Sequence, residues 1–439
     1  MNERTDIYAR RLSQMIKHET ISENGQTDKT KFLEFHKLMR ELFPHIFSAC
    51  SFFEHDGSFL MRWPGKNPSQ KLLLMNHHDV VEATGEWKHP PFSGEIAEGK
   101  VWGRGAIDDK GELWAMFQAA DELAAEGFVP EYDIWFESAC TEETDGSGAD
   151  WLSKYMEEQG LRFDLVLDEG GMILEEPIGG AKGTFAMIGV GEKGCADIKF
   201  TARSTGGHAS APGKNTPLVR LGKFMSAIDR NDIFRAELSD VTCEMLKRLA
   251  PTMGGIQAKF MARPEKYRGI LAKVMRSLSP MAASLISTTL AFTVAKGSEG
   301  NNVLPEEAYV IGNMRYSHHQ PLEESLKEIK RYAKRYDIEI EVLDPGFSSA
   351  ISDFRSDGFR LVERAVNEVF PGVHTSPYLM TGASDARYMS RVSDCCIRFA
   401  PFKIDDEQMA SIHGINESVD LSCLEPAVDF YKYIIREVG

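Results

Sequence analysis

The sequence predicts an α/β protein: a mixed, mostly parallel sheet flanked by helices, with a smaller α+β domain inserted into it. Three observations predict this. Strand-like and helix-like segments alternate from the first apolar runs to Leu167. A Gly-rich joint, Gly189-Val190-Gly191-Glu192-Lys193-Gly194, then opens a stretch of different character. Alternation resumes from Phe354, which returns both chain ends to one domain. The pattern divides the chain into 1–191, an inserted 192–346, and 347–439. A length of 439 residues suits two or three domains.

The elements follow in order. Phe32, Phe35, Met39, Leu42 and Phe43 recur at helical spacing. Phe47–Phe53, Phe59–Trp63 and the apolar run Leu72–Met75 read as extended, as does Lys100–Trp102. Glu112–Glu126 is rich in Ala, Leu and Glu and predicts a helix. Tyr132–Phe136 is mostly β-branched or aromatic, a strand signal; Asp150–Glu158 reads as a helix and Phe163–Leu167 as a buried strand. In the insertion, Ala196–Ala202 alternates polar and apolar residues. The region from Phe234 to Ser279 carries Met, Lys and Arg at helical spacing, and Ala291–Ala295 and Ala308–Met314 are strand-like. Glu323–Tyr336 is an amphipathic helix, Ile338–Leu343 a strand, and Asp344-Pro345-Gly346 the turn that leads back.

Composition excludes some classes. Hydrophobic residues make up 42% and charged residues 26%, which are globular values. A net charge of −16 repels phosphate backbones, so no nucleic-acid partner is expected. Seven scattered cysteines with no C-x-x-C pair, and a charged N-terminus without an apolar core, fit a cytoplasmic protein. Ser277–Ala295 is uncharged and about as long as a membrane span, but Pro280 and its many hydroxyl residues mark a buried segment of a soluble domain. No membrane partner is expected.

Chemistry gathers at the predicted strand ends. Leu72–Met75 runs into Asn76-His77-His78-Asp79, Tyr132–Phe136 leads to Thr141-Glu142-Glu143-Thr144, and Phe163–Leu167 runs into Asp168-Glu169-Gly170-Gly171. Open α/β sheets place their sites at the carboxyl ends of strands, so three such endings point to one pocket. His77 and Asp79 share a face of extended chain, which lets Asp79 orient one ring nitrogen while the other binds a metal. Taken alone, the same residues read equally as a polar strand end. Glu142 and Glu143 point apart, so one can bind metal while the other faces substrate; an acidic surface loop is the plain alternative. In Trp102-Gly103-Arg104-Gly105-Ala106-Ile107-Asp108-Asp109-Lys110-Gly111, Asp108 can offer two oxygens to two metals while Asp109 caps the following helix.

The pieces NHHDVV, WGRGAIDDKG, TEET, VLDEGG, STGGHASAP, NNVLP, TGASDAR and IHGINES span 76–418 in one order. Together they resemble the dinuclear zinc exopeptidases: aminoacylase, carnosinase, glutamate carboxypeptidase and carboxypeptidase S. The run PPFSGEIAEGKVWGRGAIDDKG resembles most the branch of carboxypeptidase S and N-acyl amino acid hydrolases. The resemblance implies two zinc ions, with manganese or cobalt also suited to N/O ligands. His77, Asp108 and Asp168 would hold one ion; Asp108, Glu143 and His413 the other. It further implies a cis peptide at Asp108-Asp109, Asp79 as the orienting residue, and Glu142 as general base toward a water shared by the metals. His208, from the smaller domain of a second subunit, would stabilise the oxyanion. Asn302, Arg315 and Arg387 would contact substrate, the arginines clamping a free carboxylate. The implied activity is hydrolysis of an amide bond in a dipeptide or N-acyl amino acid, by a homodimer paired through the inserted lid/dimerisation domain. The chain departs from the family's usual pattern at His78, at Ala383-Ser384, and in the length of the Met-rich helical stretch. A metal- or ligand-binding protein on the same scaffold, and a purely structural dimer, are the competing readings.

Overall fold

A computed structural model describes residues 2–439. The chain divides into two compact units. The larger contains the chain up to Gly191 together with Ala350–Tyr378 and Ser384–Gly439. The smaller contains Glu192–Ser349 and Leu379–Ala383.

The larger unit is built on a nine-stranded mixed sheet. Its middle is parallel: Tyr132–Ala139, Asn67–His77, Leu165–Asp168 and Cys396–Arg398 lie side by side in that order. Ser58–Trp63 and then Ser51–His55 extend one side antiparallel, and Thr184–Glu192 the other. Leu72, Leu73 and Leu74 are fully buried, as a strand covered on both faces must be. The helix Lys110–Ala125 is buried nearly all round, with Trp114, Phe117 and Leu123 at 0% exposure. Parallel strands point their carboxyl ends to the same edge, so His77, the Thr141–Glu143 loop and Asp168 emerge there.

Two expectations need correction. Phe47–Phe53 is not one extended run. Pro44 opens the short helix Pro44–Ala49, its fixed φ suiting a first helical position, and the strand starts only at Ser51. Ser277–Ala295 is not one buried segment. It divides into the end of the helix Arg268–Leu278, the helix Pro280–Ser284 and part of the strand Thr289–Lys296. That strand lies at a sheet edge, and Met281 and Val294 are exposed. Among the described residues, no helix is long and apolar enough to cross a membrane.

The smaller unit is α+β. Four antiparallel strands run in the order Thr289–Lys296, Glu307–Tyr316, Gly194–Arg203, Glu339–Asp344. Strict alternation along Glu307–Tyr316 puts Ala308, Val310, Met314 and Tyr316 into a core shared with Phe224 and Ile329 of the helices Pro217–Asp229 and Leu322–Tyr336. A separate two-stranded antiparallel sheet pairs Gly207-His208 with Val303-Leu304.

Candidate active site

The loop after Trp102 carries Asp108, and a buried carboxylate shapes it. Glu417, fully buried, accepts hydrogen bonds from the amides of Gly105 (3.0 Å), Ile107 (2.8 Å) and Asp108 (3.0 Å) and from Arg104 Nη1 (2.7 Å). Arg104 Nη2 also donates to the carbonyl of Gly414 at 2.7 Å. One ion pair thus ties the Asp108 loop to the turn that carries His413. His413 adopts φ 58°, a left-handed conformation, and although its side chain is 55% exposed its Nε2 reaches Asp108 and Glu143. The Asp108-Asp109 peptide is cis.

Asp108 lies between two histidines. Its Oδ1 is 3.0 Å from His77 Nε2, and its Oδ2 is 3.1 Å from His413 Nε2. His413 Nε2 is also 3.0 Å from Glu143 Oε2. His77 Nδ1 is nearer the carbonyl of Asp79 (3.0 Å) than its carboxylate (3.4 Å). The Asp79 carboxylate also accepts from the amides of Glu142 (3.3 Å) and Glu143 (3.1 Å) and from Ser22 Oγ (2.6 Å). It therefore shapes the loop that carries both glutamates.

The remaining expected residues separate into three places. Asp168 is buried at its strand end, where Oδ2 accepts from the amide of Ala386 at 2.8 Å. Its neighbour Glu169, which the sequence reading passed over, comes to 3.7 Å from His77 Nε2. Arg387 is partly buried; Asp385 and Glu142 are among the charges that raise its pKa. His208, Asn302 and Arg315 belong to the smaller unit. There His208 pairs with Val303, beside Asn302, whose carbonyl accepts from the amide of Ala209 at 2.9 Å. His208 Nδ1 accepts from the amide of Ser210 at 3.1 Å, which leaves Nε2 as the protonated donor of a neutral ring. Arg315 lies along a strand, with Nε donating to Asn313 Oδ1 at 3.0 Å.

Electrostatics mark the pocket. Burial pushes the Glu142 carboxyl well above the usual range; His77 opposes this, and the charges of Asp385, Glu143 and Asp108 add to it. Burial, then Asp108, raises Glu143. Burial also raises Glu169 and Asp109. It would raise Asp108 too, but hydrogen bonds to His413 and His77 outweigh it and hold this carboxyl low. Asp108 and Glu143 in turn raise His413 to about 10. His78 is different. It is buried against Phe32, Phe35 and Phe59, with its nitrogens on Ser138 Oγ (2.8 Å) and the carbonyl of Gly57 (3.0 Å), and its role is in the core.

These residues fit divalent cations. Ligand atoms of His77, Asp108 and Glu143 lie within 4.8 Å of one another, as do those of His77, Asp109 and Glu169. Glu143 Oε1 is buried without a hydrogen-bond partner, an atom that a cation would satisfy. The four crowded carboxylates of Asp108, Asp109, Glu143 and Glu169, with imidazole and no thiolate, form a donor set for zinc, manganese or cobalt.

Known proteins of one family resemble this chain. Residues 73–437 match peptidase family M20/M25/M40. The chain is 31% identical over 421 residues to the N-fatty-acyl-amino acid synthase/hydrolase of Homo sapiens, covering 94% of this chain and 83% of that one. It is 28% identical to the probable carboxypeptidase S-like 2 of Dictyostelium discoideum, covering 98% of this chain and 84% of that one. Among solved structures, the M20 family metallo-carboxypeptidase Sso-CP2 of Sulfolobus solfataricus superposes with a TM-score of 0.71, at 17% identity and 99% coverage of both chains.

Proposed function

The chain belongs to peptidase family M20/M25/M40 and is a metal-dependent hydrolase of amide bonds, and from that premise we propose that it cleaves N-acyl amino acids bearing a free carboxylate. The observation that carries the proposal is Asp108, whose two oxygens each face a different histidine. That arrangement would let Asp108 serve two metal positions. His77 and Asp108, with Asp168 or its neighbour Glu169, would hold one ion; Asp108, Glu143 and His413 would hold the other. Zinc fits, and manganese or cobalt would also be accepted. Bound there, the cations supply Lewis acidity that polarises the amide carbonyl and acidifies water.

The chain's own residues do the rest. Glu142, buried and with its proton affinity raised, takes a proton from water and returns it to the leaving amine. Asp79 holds Glu142 in place through its amide. His208, with its proton on Nε2, donates to the developing oxyanion from the smaller unit of a second subunit, so the working form is a homodimer. Arg387 clamps the substrate carboxylate, assisted by Asn302 and Arg315. The preference for an acyl over a peptidyl group rests on the name of the 31%-identical human relative. Seven free cysteines support a reducing, cytoplasmic setting.

The test is amine release from matched panels of N-acyl amino acids and dipeptides, with zinc, manganese or chelator. Chelator-sensitive release from N-acyl amino acids is expected. Release confined to dipeptides would replace the substrate class, and release insensitive to Arg387→Ala would remove that residue from the carboxylate clamp.

A further inference from the structure

The helix Arg268–Leu278 of the smaller unit is apolar on more of its circumference than its own unit covers. Leu271, Ala272 and Met275 face inward at 3%, 5% and 0% exposure. Ile270, Val274 and Leu278, each one turn further along, stay in solvent at 58%, 44% and 45%. Met281, on the helix Pro280–Ser284 that follows directly, is 61% exposed. The result is a contiguous aliphatic stripe along a solvent-facing ridge.

The charge around the stripe is opposite to that of the chain. Residues 255–284 contain Lys259, Arg263, Lys266, Arg268, Lys273 and Arg276 against one acid, Glu265, in a chain whose net charge is −16. Arg268 pairs with Asp240, and Arg276 with Asp232 at 3.6 Å. Lys259, Arg263, Lys266 and Lys273 make no recorded ion pair within 4.0 Å among the described residues. Aliphatic side chains flanked by free cations match a surface that is apolar below and anionic above. Nucleic acid would use the cations but leave the aliphatic stripe in water.

We propose that this ridge, Ile270–Val274–Leu278–Met281 with its surrounding lysines, docks the protein on an anionic lipid surface. The docking is peripheral and does not depend on which amide the enzyme cleaves. The probe is co-flotation of the metal-loaded full chain with phosphatidylcholine vesicles, with and without phosphatidylserine. Binding at least about tenfold stronger to the phosphatidylserine vesicles is expected, weakening as salt rises. Ile270→Ser/Val274→Ser/Leu278→Ser should abolish binding, and Lys266→Glu/Lys273→Glu should abolish the preference for anionic lipid. Both should keep the parent's urea midpoint and its hydrolysis of a soluble substrate, because the ridge carries no site residue. Absence of parent binding to either vesicle would overturn the proposal, as would equal binding by parent and both variants. Light scattering that finds the parent dimeric and the serine variant monomeric would assign the ridge to a second copy instead.

Discussion

Removing the Glu417 carboxylate should damage both stability and metal binding, because one buried group holds two loops of the site. Glu417 is 0% exposed and accepts from Arg104 Nη1 and from three amides, Gly105, Ile107 and Asp108, at 2.7–3.0 Å. Glu417→Ala would leave a guanidinium that is 2% exposed without its counter-charge and three amides without acceptors. Breaking a buried pair from one side costs about 3–5 kcal/mol. Glu417→Gln keeps one acceptor oxygen but turns an NH₂ toward donors, so roughly 2 kcal/mol is expected. Arg104→Met should cost a similar amount to Glu417→Ala. The double variant should be less damaging than the sum of the singles, with a coupling of about 2 kcal/mol or more. The assay is urea unfolding of the parent and the four variants in the presence of chelator, which removes the metal's own contribution. Because the Asp108 amide and the Gly414 carbonyl are both held by this pair, metal affinity in Glu417→Gln should fall about 10–100-fold, read by competition with a chromogenic chelator. Losses below about 1 kcal/mol together with unchanged metal affinity would refute the reasoning.

Other consequences are as specific. Glu142→Gln keeps the shape of the proposed base without its proton chemistry, and kcat should fall at least about 10²–10⁴-fold with metal content unchanged by elemental analysis; near-normal kcat would remove the assignment. His208→Ala should lower kcat about 10²–10³-fold with little change in the amount of metal bound, and parent-like turnover would exclude it as the oxyanion donor. Burial holds the His36 pKa at about 4, against 6.5 for the free side chain. The unfolded chain therefore takes up this proton first as pH falls, so stability present above pH 6.5 is lost between 6.5 and about 4. Between pH 7 and pH 5 the loss should be roughly 2 kcal/mol, and His36→Phe should show a flatter urea-midpoint profile; an identical profile would contradict it. Removing metal should lower the unfolding midpoint, since cations bind only the assembled pocket, and an unchanged midpoint on chelation would count against that pocket as their site.

The sequence revealed elements whose signals are local. The apolar run Leu72–Met75 lies inside the observed strand Asn67–His77, which continues to the predicted site residue His77, and Glu323–Tyr336 differs from the observed helix by one residue at its start. Phe47–Phe53 contains three aromatic residues, but Pro44, just before it, starts a helix that takes in the first three residues of the run. What was illegible is non-local. Arg104 and Glu417 are 313 residues apart, and nothing in WGRG or IHGINES alone says that they meet. Glu169 lay beside a chosen residue, yet only three-dimensional placement brings it near His77. The ridge at Ile270 was hidden for another reason. Its residues were visible at helical spacing, but periodicity cannot tell which apolar side chains a small domain has enough surface to cover. The expectation of no membrane partner rested on Ser277–Ala295 being a poor membrane span, and span length does not measure a local basic, aliphatic face.

Architecture and chemistry in the larger unit answer the same constraint. A parallel sheet gathers its strand ends at one edge, and here those ends carry carboxylates. Asp108, Glu142, Glu143, Asp168 and Glu169 are brought in by separate segments, and burial shifts nearly all of them toward the protonated form. Backbone amides relieve some of this: Asp168 takes one from Ala386, and Asp79 takes two from the glutamate loop. The histidines relieve Asp108. No such donor reaches Glu143 Oε1, and Glu142 keeps a raised proton affinity. Cations at the ligand positions would compensate the first without neutralising the second, because Glu142 stands beside the ligand set and is not part of it. The crowding that raises these carboxylates would thus favour divalent metal at the ligand positions, and would leave the proposed base, Glu142, outside them.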